Sequence, residues 1–143
     1  TSYECMDTCL FCGIRDNTIL AEVVYADDAV VAFLDVHPRA PGHTAVIPKR
    51  HHEHLLDVPD ADIGPLFCGV KKVMDRISRA LHPDGFTVGI NEGAASGQSV
   101  PHLHVHILPR FRNDGGGSLH SVVMNAPQES LKEIANKIRS TKS

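Results

Sequence analysis

Between positions 102 and 108 the chain reads His102-Leu103-His104-Val105-His106-Ile107-Leu108, an alternation of imidazole and aliphatic side chains. Successive side chains of a β-strand point to opposite faces, so the pattern predicts a strand whose His102, His104 and His106 share one face at steps of roughly 6.6 Å. Leu103, Val105 and Ile107 then face a core on the other side. A single histidine on a strand is normally structural. Three on one face, against a wholly apolar opposite face, serve neither a core nor a solvated surface. Two chemistries use such a row. Imidazole binds zinc, copper and iron, and a neutral Nε2 attacks phosphorus or an acyl carbon when an acceptor holds its Nδ1–H.

The rest of the chain supplies a sheet and a covering helix. Residues 19–25 and 29–34 are β-rich runs joined by Ala26-Asp27-Asp28, a hairpin signal, and residues 43–47 form a third short run closed by Pro48. Across 62–81 the apolar positions Ile63, Leu66, Phe67, Val70, Val73, Met74, Ile77 and Leu81 recur at helical spacing, with Lys71, Lys72, Asp75, Arg76 and Arg79 on the opposite side. Asp60 or Asp62 is placed to cap that helix, and Pro65 falls in its first turn. Residues 86–91 read as a fourth strand and 102–108 as the fifth. Three successive glycines in 113–118 predict a flexible loop, and 125–139 a terminal helix with Leu131, Ile134, Ala135 and Ile138 inward. The expectation is one α+β domain over 1–143, with a mainly antiparallel five-stranded sheet, one long central helix and a C-terminal helix. Only the connection across the long helix leaves strand direction open.

Composition removes several classes of function. The chain holds 14 Lys and Arg against 17 Asp and Glu, for a formal charge of −3, which provides no broad basic surface for nucleic acid. No apolar run approaches the ~20 residues that a membrane span needs, and Thr1–Cys9 does not read as a signal peptide. With 42% hydrophobic residues the chain has the means to fold, and the expected setting is cytoplasmic. Ten histidines are the unusual count, and they make acid sensitivity an expectation.

Cys9-Leu10-Phe11-Cys12 is the one cysteine spacing with meaning. A redox C-x-x-C wants a strand-to-helix turn inside a βαβ unit, whereas this pair precedes the first strand. Half of a metal site is the better reading. The loop Asn91-Glu92-Gly93-Ala94-Ala95-Ser96-Gly97-Gln98-Ser99 leads into the histidine row and offers glycine N–H groups, amides and hydroxyls. Such donors suit a phosphate without bringing positive charge.

The stretch Gln98-Ser99-Val100-Pro101-His102-Leu103-His104-Val105-His106-Ile107-Leu108 resembles the signature of the histidine-triad (HIT) superfamily. Asn91-Glu92-Gly93 and Gly42-His43-Thr44-Ala45-Val46-Ile47-Pro48-Lys49 resemble its two other landmark segments, in the right order. The likeness runs over a core of about 10–110 and points to the bacterial HIT-like, nucleotide-binding branch; 111–143, a Gly-rich loop and terminal helix, lies outside it.

The resemblance implies a nucleotide hydrolase or transferase acting at the α-phosphorus of purine nucleotides through a nucleotidyl-histidine intermediate. His104 would be the nucleophile, His106 would contact the α-phosphate, His43 would support the network, and Ser99 would stand near the leaving group. Asn91, Gly97, Gln98 and Ser99 match the phosphate loop, and Leu10, Phe11, Phe33, Asp35 and Val36 the nucleoside pocket, with ordinary core as the rival role for Phe33 and Val36. A structural zinc would be held by Cys9, Cys12, His51 and His102, with His52 and His54 competing for the third position. A nucleoside phosphoramidase is the first expectation. A dinucleoside polyphosphate hydrolase and a non-catalytic nucleotide-binding regulatory module are the alternatives. The likeness further implies a homodimer formed through the long helix and the fourth strand.

Overall fold

The computed structural model describes residues 8–143, so most of the stretch read as lacking a signal peptide lies outside the described residues. Short strands β1 (Val23–Ala26), β2 (Val30–Leu34), β3 (Thr44–Pro48), β4 (Gly85–Gly89) and β5 (Val105–Arg110) form one sheet in the order β1-β2-β3-β5-β4. Every neighbouring pair is antiparallel, which settles the direction left open across the long helix. Helix α1 (Leu10–Arg15) covers one face, α2 (Asp60–Leu81) covers the other, and α3 (Leu131–Arg139) closes the chain.

β2 and β3 are apolar on both faces because both faces are covered. Val30, Ala32 and Val46 meet Leu66, Val70, Val73 and Ile77 of α2 in one core, which also takes in Leu103, Val105 and Ile107. Val31, Phe33, Ala45 and Ile47 meet Phe11, Cys12 and Ile14 of α1 in the other. The aliphatic half of the histidine row therefore faces α2, as its alternation predicts. The imidazole half faces the thinner α1 side, where the sheet is open to ligands.

Several boundaries differ from the sequence expectation, each for a local reason. β5 starts at Val105 rather than 102, because the chain bends over 100–102 and Leu103 N–H is tied to the carbonyl of His52. It continues through Pro109 to Arg110; β3 pairs only as far as Ile107, so the missing proline N–H falls where no β3 acceptor stands opposite. β1 starts at Val23 rather than 19, since Ile19 N–H bonds back to Gly13 at the end of α1. α2 begins at Asp60 after Pro59, with no side-chain cap from Asp60 or Asp62, which places Pro65 in the second turn. α3 starts at Leu131, where Ser130 Oγ accepts from Glu133 N–H, and its Leu131 and Ile138 are exposed rather than inward. No helix among the described residues is long and apolar enough to cross a membrane.

Gly69 sets how closely α2 approaches the sheet: a Cβ there would lie 2.7 Å from Cγ2 of Val30, itself fully buried. Gly69→Ala is therefore expected to destabilise the protein by about 1–3 kcal/mol through overpacking, despite a helix-propensity gain of about 1 kcal/mol. In a denaturation cycle, Val30→Ala should cost less in the Gly69→Ala background than in the parent.

Candidate functional site

The bend before β5 places the three imidazoles of the row in three environments. His102 is fully buried, and its Nε2–H donates to the carbonyl of Pro48 at 3.0 Å. That bond fixes the tautomer and leaves the Nδ1 lone pair facing Cys9 Sγ at 3.5 Å, Cys12 Sγ at 3.5 Å and His51 Nδ1 at 3.1 Å. Cys12 Sγ lies 3.3 Å from His51 Nδ1. Ligand atoms around a tetrahedral zinc stand roughly 3.5 Å apart, given Zn–S near 2.3 Å and Zn–N near 2.0–2.1 Å. These edges have the size of a metal site, and the Pro48 carbonyl is the outer partner that a ligating imidazole needs. Cys9 is a free thiol, while Cys12 is disulfide-bonded in this structure; the four-ligand set is complete once Cys12 is reduced. Burial pushes His102 down to about 4 and lowers His51, so both are neutral and able to ligate near pH 7.

Of the three competing histidines only His51 enters this set. His54 instead faces Glu53 and Glu92, at 3.7 and 3.8 Å. His52 contributes its carbonyl to the bend.

His104 is buried against the edge of Phe11, with ring centroids 5.0 Å apart. Its Nδ1–H donates to the carbonyl of His102 at 2.8 Å, so Nε2 carries the lone pair. His106 follows at a ring separation of 4.8 Å. Its tautomer is set from a distance: the backbone N–H of Arg39 donates to His43 Nδ1, so His43 Nε2–H donates to His106 Nδ1 at 3.0 Å. His106 Nε2 therefore bears the proton. Asp35 Oδ2 lies 3.5 Å from His43 Nε2 and 4.0 Å from His106 Nδ1. Asp35, His43 and His106 are close enough to hold a cation. With the Nε2–H of His43 as donor, however, they make a hydrogen-bonded relay.

Loop 91–99 is held to the segment that carries His51. Glu92 accepts from the N–H groups of Leu55 and Leu56, and Gln98 Nε2 donates to the carbonyls of Glu53 and Val100. Gln98 Oε1 accepts from Gly93 N–H, and the Gly97 N–H closes a turn on Ala94. What Gln98 and Gly97 contribute to an anion is thus the shape of the loop, whereas Ser99 stays exposed and Asn91 lines a groove with His43 and His106. Around the expected nucleoside face, Phe11 and Phe33 are buried and stack edgewise at 5.2 Å, forming a floor. Leu10 and Val36 are exposed, and Asp35 is part-buried. Sequence reasoning missed the Arg39 N–H and the Pro48 carbonyl, which are backbone groups without a residue-type signal, and the anchoring role of Glu92.

The HIT domain family model matches residues 17–113, leaving the last 30 residues beyond it. A HIT-like protein of Methanocaldococcus jannaschii is 42% identical over 127 residues, covering 88% of this chain and 98% of that protein. The crystal structure of a HIT family member from Bacillus subtilis is 35% identical, with a TM-score of 0.83 over 96% of this chain and 99% of the other. Two relatives carry names that state an activity: adenylylsulfatase HINT3 of Arabidopsis thaliana, 34% identical, and a bis(5'-nucleosyl)-tetraphosphatase of Schizosaccharomyces pombe, 37% identical. They match 74% and 66% of this chain, which spans about half of their lengths, 54% and 52%. A zinc-bound histidine triad family protein from Mycobacterium smegmatis matches at 32% identity and a TM-score of 0.68, over 85% of this chain and 84% of the other.

Acid response follows from the relay. Burial, then the neighbouring His104 and His43, push His106 down to about 4. Burial lowers His43, with Asp35 opposing and Arg39 reinforcing that shift. A histidine whose folded pKa is depressed binds fewer protons than the unfolded chain below about pH 6.5, so folding stability falls as pH drops from there towards 4. Urea midpoints should fall between pH 7.5 and pH 5, and the fall should be shallower in His106→Asn.

Proposed function

Because the chain belongs to the HIT domain family, we propose that it is a nucleotide hydrolase or transferase that attacks the α-phosphorus of a purine nucleotide with His104. The observation that carries this reading is the tautomer of His104: Nδ1–H is committed to the His102 carbonyl, and Nε2 is bare beside the protonated Nε2 of His106. That is the arrangement a nitrogen nucleophile needs, with a donor next to it for the oxyanion.

In the first step the Nε2–phosphorus bond of His104 forms as the bond from phosphorus to the leaving group breaks. The electron pair departs with the leaving group, which, when it is an amine, takes up a proton from solvent water at the exposed Ser99 side. The imidazolium that results keeps its hydrogen bond to the His102 carbonyl, which strengthens as the ring becomes charged. His106 Nε2–H donates to the phosphoryl oxygen, and His43 keeps that proton outward. Water then attacks phosphorus and gives up its proton to solvent as the Nε2–phosphorus bond breaks and its electron pair returns to Nε2, releasing the nucleoside monophosphate. Leu10, Val36 and Asp35 are assigned to the nucleoside, Asp35 through the ribose hydroxyls. Ser99 and Asn91 are assigned to the phosphate and leaving group.

A nucleoside phosphoramidate is our first substrate class and a dinucleoside polyphosphate the second. The names of the two relatives, an adenylylsulfatase and an asymmetrical bis(5'-nucleosyl)-tetraphosphatase, fit attack at one nucleotide phosphorus with different leaving groups. Cys9, Cys12, His51 and His102 are assigned to one structural zinc, which supplies a rigid cross-link with all four positions taken by protein. A cytoplasmic setting, to which the chain is also assigned, would keep Cys9 and Cys12 reduced for that role. The chain is further assigned to a homodimer through α2 and β4, the latter an edge strand with one side unpaired.

His104→Asn should lower kcat on adenosine 5'-phosphoramidate by about 10³–10⁶-fold while nucleotide affinity changes little. Normal turnover in that variant excludes His104 as nucleophile. Two displacements predict retained configuration at a chiral α-phosphorus, and inversion removes the intermediate. Metal analysis should return one zinc per chain, lost in Cys9→Ser with a lower Tm; equal zinc in both proteins removes the assigned ligand set.

A further inference from the structure

The sheet has two edges, and the one at β1 is bordered by cations of α2. A groove of about 850 Å³ lies there between Tyr25 and the outer side of α2, where Lys71, Lys72, Arg76 and Arg79 stand against one carboxylate, Asp75. Four cations are thus gathered in one concavity of a chain whose formal charge is −3. The groove is separate from the candidate site. α2 covers the sheet face opposite the imidazoles, and no residue of the histidine row, the cysteine pair or loop 91–99 lines it. It borders the sheet edge opposite β4, so a homodimer formed along β4 leaves it open.

Two features set this groove apart from a solvated helix face. The cations are not explained by the helix itself. A positive charge stabilises a helix end only from its last turn. α2 ends at Leu81, so Arg79 fits that role, whereas Lys72 stands roughly two and a half turns earlier. The second feature is order. Arg76 Nη1–H donates to the Val24 carbonyl at 2.8 Å, and its guanidinium lies 5.1 Å from the centre of the Tyr25 ring. The Tyr25 hydroxyl donates to Asp27, which also accepts from the N–H groups of Ala29 and Val30, so the ring beneath Arg76 is anchored to the turn between β1 and β2. An arginine has five N–H donors, and the Val24 carbonyl takes one of them. A guanidinium already held in place loses less freedom on binding an anion. Arg79 meets Asp75 at 3.0 Å in an exposed pair, which contributes little and leaves Arg79 able to take a second carboxylate.

We propose that this groove docks an extended acidic segment of a partner protein. Spacing is the first argument. A rise of about 1.5 Å per residue puts Lys72 and Arg76 about 6 Å apart along α2, and Lys71 and Arg79 about 12 Å apart. Alternate side chains of an extended chain fall about 6.6 Å apart, so acidic residues at i and i+2 reach Lys72 and Arg76 together. Asp75 supplies the second argument. Its carboxylate stands within the cation row and Asp27 faces Lys72, so the ligand needs uncharged positions between its acids. A peptide has such positions; a polyphosphate or a nucleic-acid backbone, charged at every unit, meets repulsion there. Tyr25 supplies the third. It is the one aromatic residue lining the groove, and Arg76 lies over its ring, which leaves no row of stacking platforms for the bases of a single strand. Tyrosine and arginine are, however, the residue types that anchor protein–protein contacts.

The test is fluorescence anisotropy of the full chain with a fluorescein-labelled octapeptide that alternates glutamate and alanine. Binding should be present at low salt and weaken steeply as salt is raised. Lys72→Glu and Arg79→Glu should each weaken it about tenfold. Asp75→Asn should strengthen it about threefold, a gain that damage to the fold would not produce. A circular dichroism melt confirms folding in each variant. Cys68, an exposed free thiol lining the groove, reports the location. Its alkylation by iodoacetamide, read by mass spectrometry, should slow under saturating peptide. No binding at low salt, an affinity that both charge reversals leave unchanged, or undiminished alkylation of Cys68 overturns the site. Displacement of the labelled peptide by tripolyphosphate or by an oligothymidylate octamer at lower concentration than by unlabelled peptide overturns the acidic-segment assignment.

Discussion

One buried imidazole ties the parts of this molecule together. His102 gives its Nε2–H to the last carbonyl of β3, turns its Nδ1 to two cysteines at the start of α1 and to His51 after β3, and offers its own carbonyl to His104. Four elements distant in sequence therefore meet at one ring. A misplaced proton on His102 would cost more than one hydrogen bond. With Nδ1 protonated, the ring would set an N–H against the lone pairs of a metal-sized ligand set and leave the Pro48 carbonyl unsatisfied in a buried place. The tautomer of His102 also fixes the backbone of the bend, and through it the direction in which His104 presents its lone pair.

The alternation at 102–107 was legible because burial is a two-sided choice along an extended chain. Leu103, Val105 and Ile107 had to go to the α2 core, and that forced the three imidazoles to the other side. The pattern could not say that His102 and His104 lie before the regular strand, since an extended bend has the same two-residue period as a strand. The long helix was legible from its stripe, and its start was not, because Pro59 terminates the preceding chain without a side-chain cap. The glycine run lies in a loop, as its sequence predicts, but what organises that loop was not legible. Glycine signals freedom in the unfolded chain, and here the freedom is consumed by an arginine four residues before an aspartate in a loop, a pairing that local sequence does not announce.

The candidate site shows a division between what residue types carry and what backbone supplies. His43, His104 and His106 could be chosen by pattern, but each owes its protonation state to a partner outside the pattern: the Arg39 N–H for His43, His43 for His106, and the His102 carbonyl for His104. Backbone partners are insensitive to side-chain substitution and move only with the fold. A chemistry that needs three neutral rings in three particular tautomers is thereby attached to the most rigid groups available.

The site is also notable for how few cations it contains. Burial lowers both His43 and His106, reinforced by Arg39 for the first and by His104 and His43 for the second, and the carboxylate of Asp35 stands 3.5 and 4.0 Å from them. A nucleotide phosphate held here is met mainly by N–H dipoles, which limits ground-state attraction for the anion. In the proposed reaction charge develops in the direction the site favours: as Nε2 of His104 bonds to phosphorus, its ring would become cationic between the His102 carbonyl and the phosphoryl oxygens. The positive charge that stabilises the pentavalent oxygens would then be generated by the reaction itself, one bond from where it is needed. Interactions that appear only in the transition state raise kcat without deepening the substrate complex, and this argues that a row of neutral histidines serves better here than the lysines or arginines that bind phosphate more tightly.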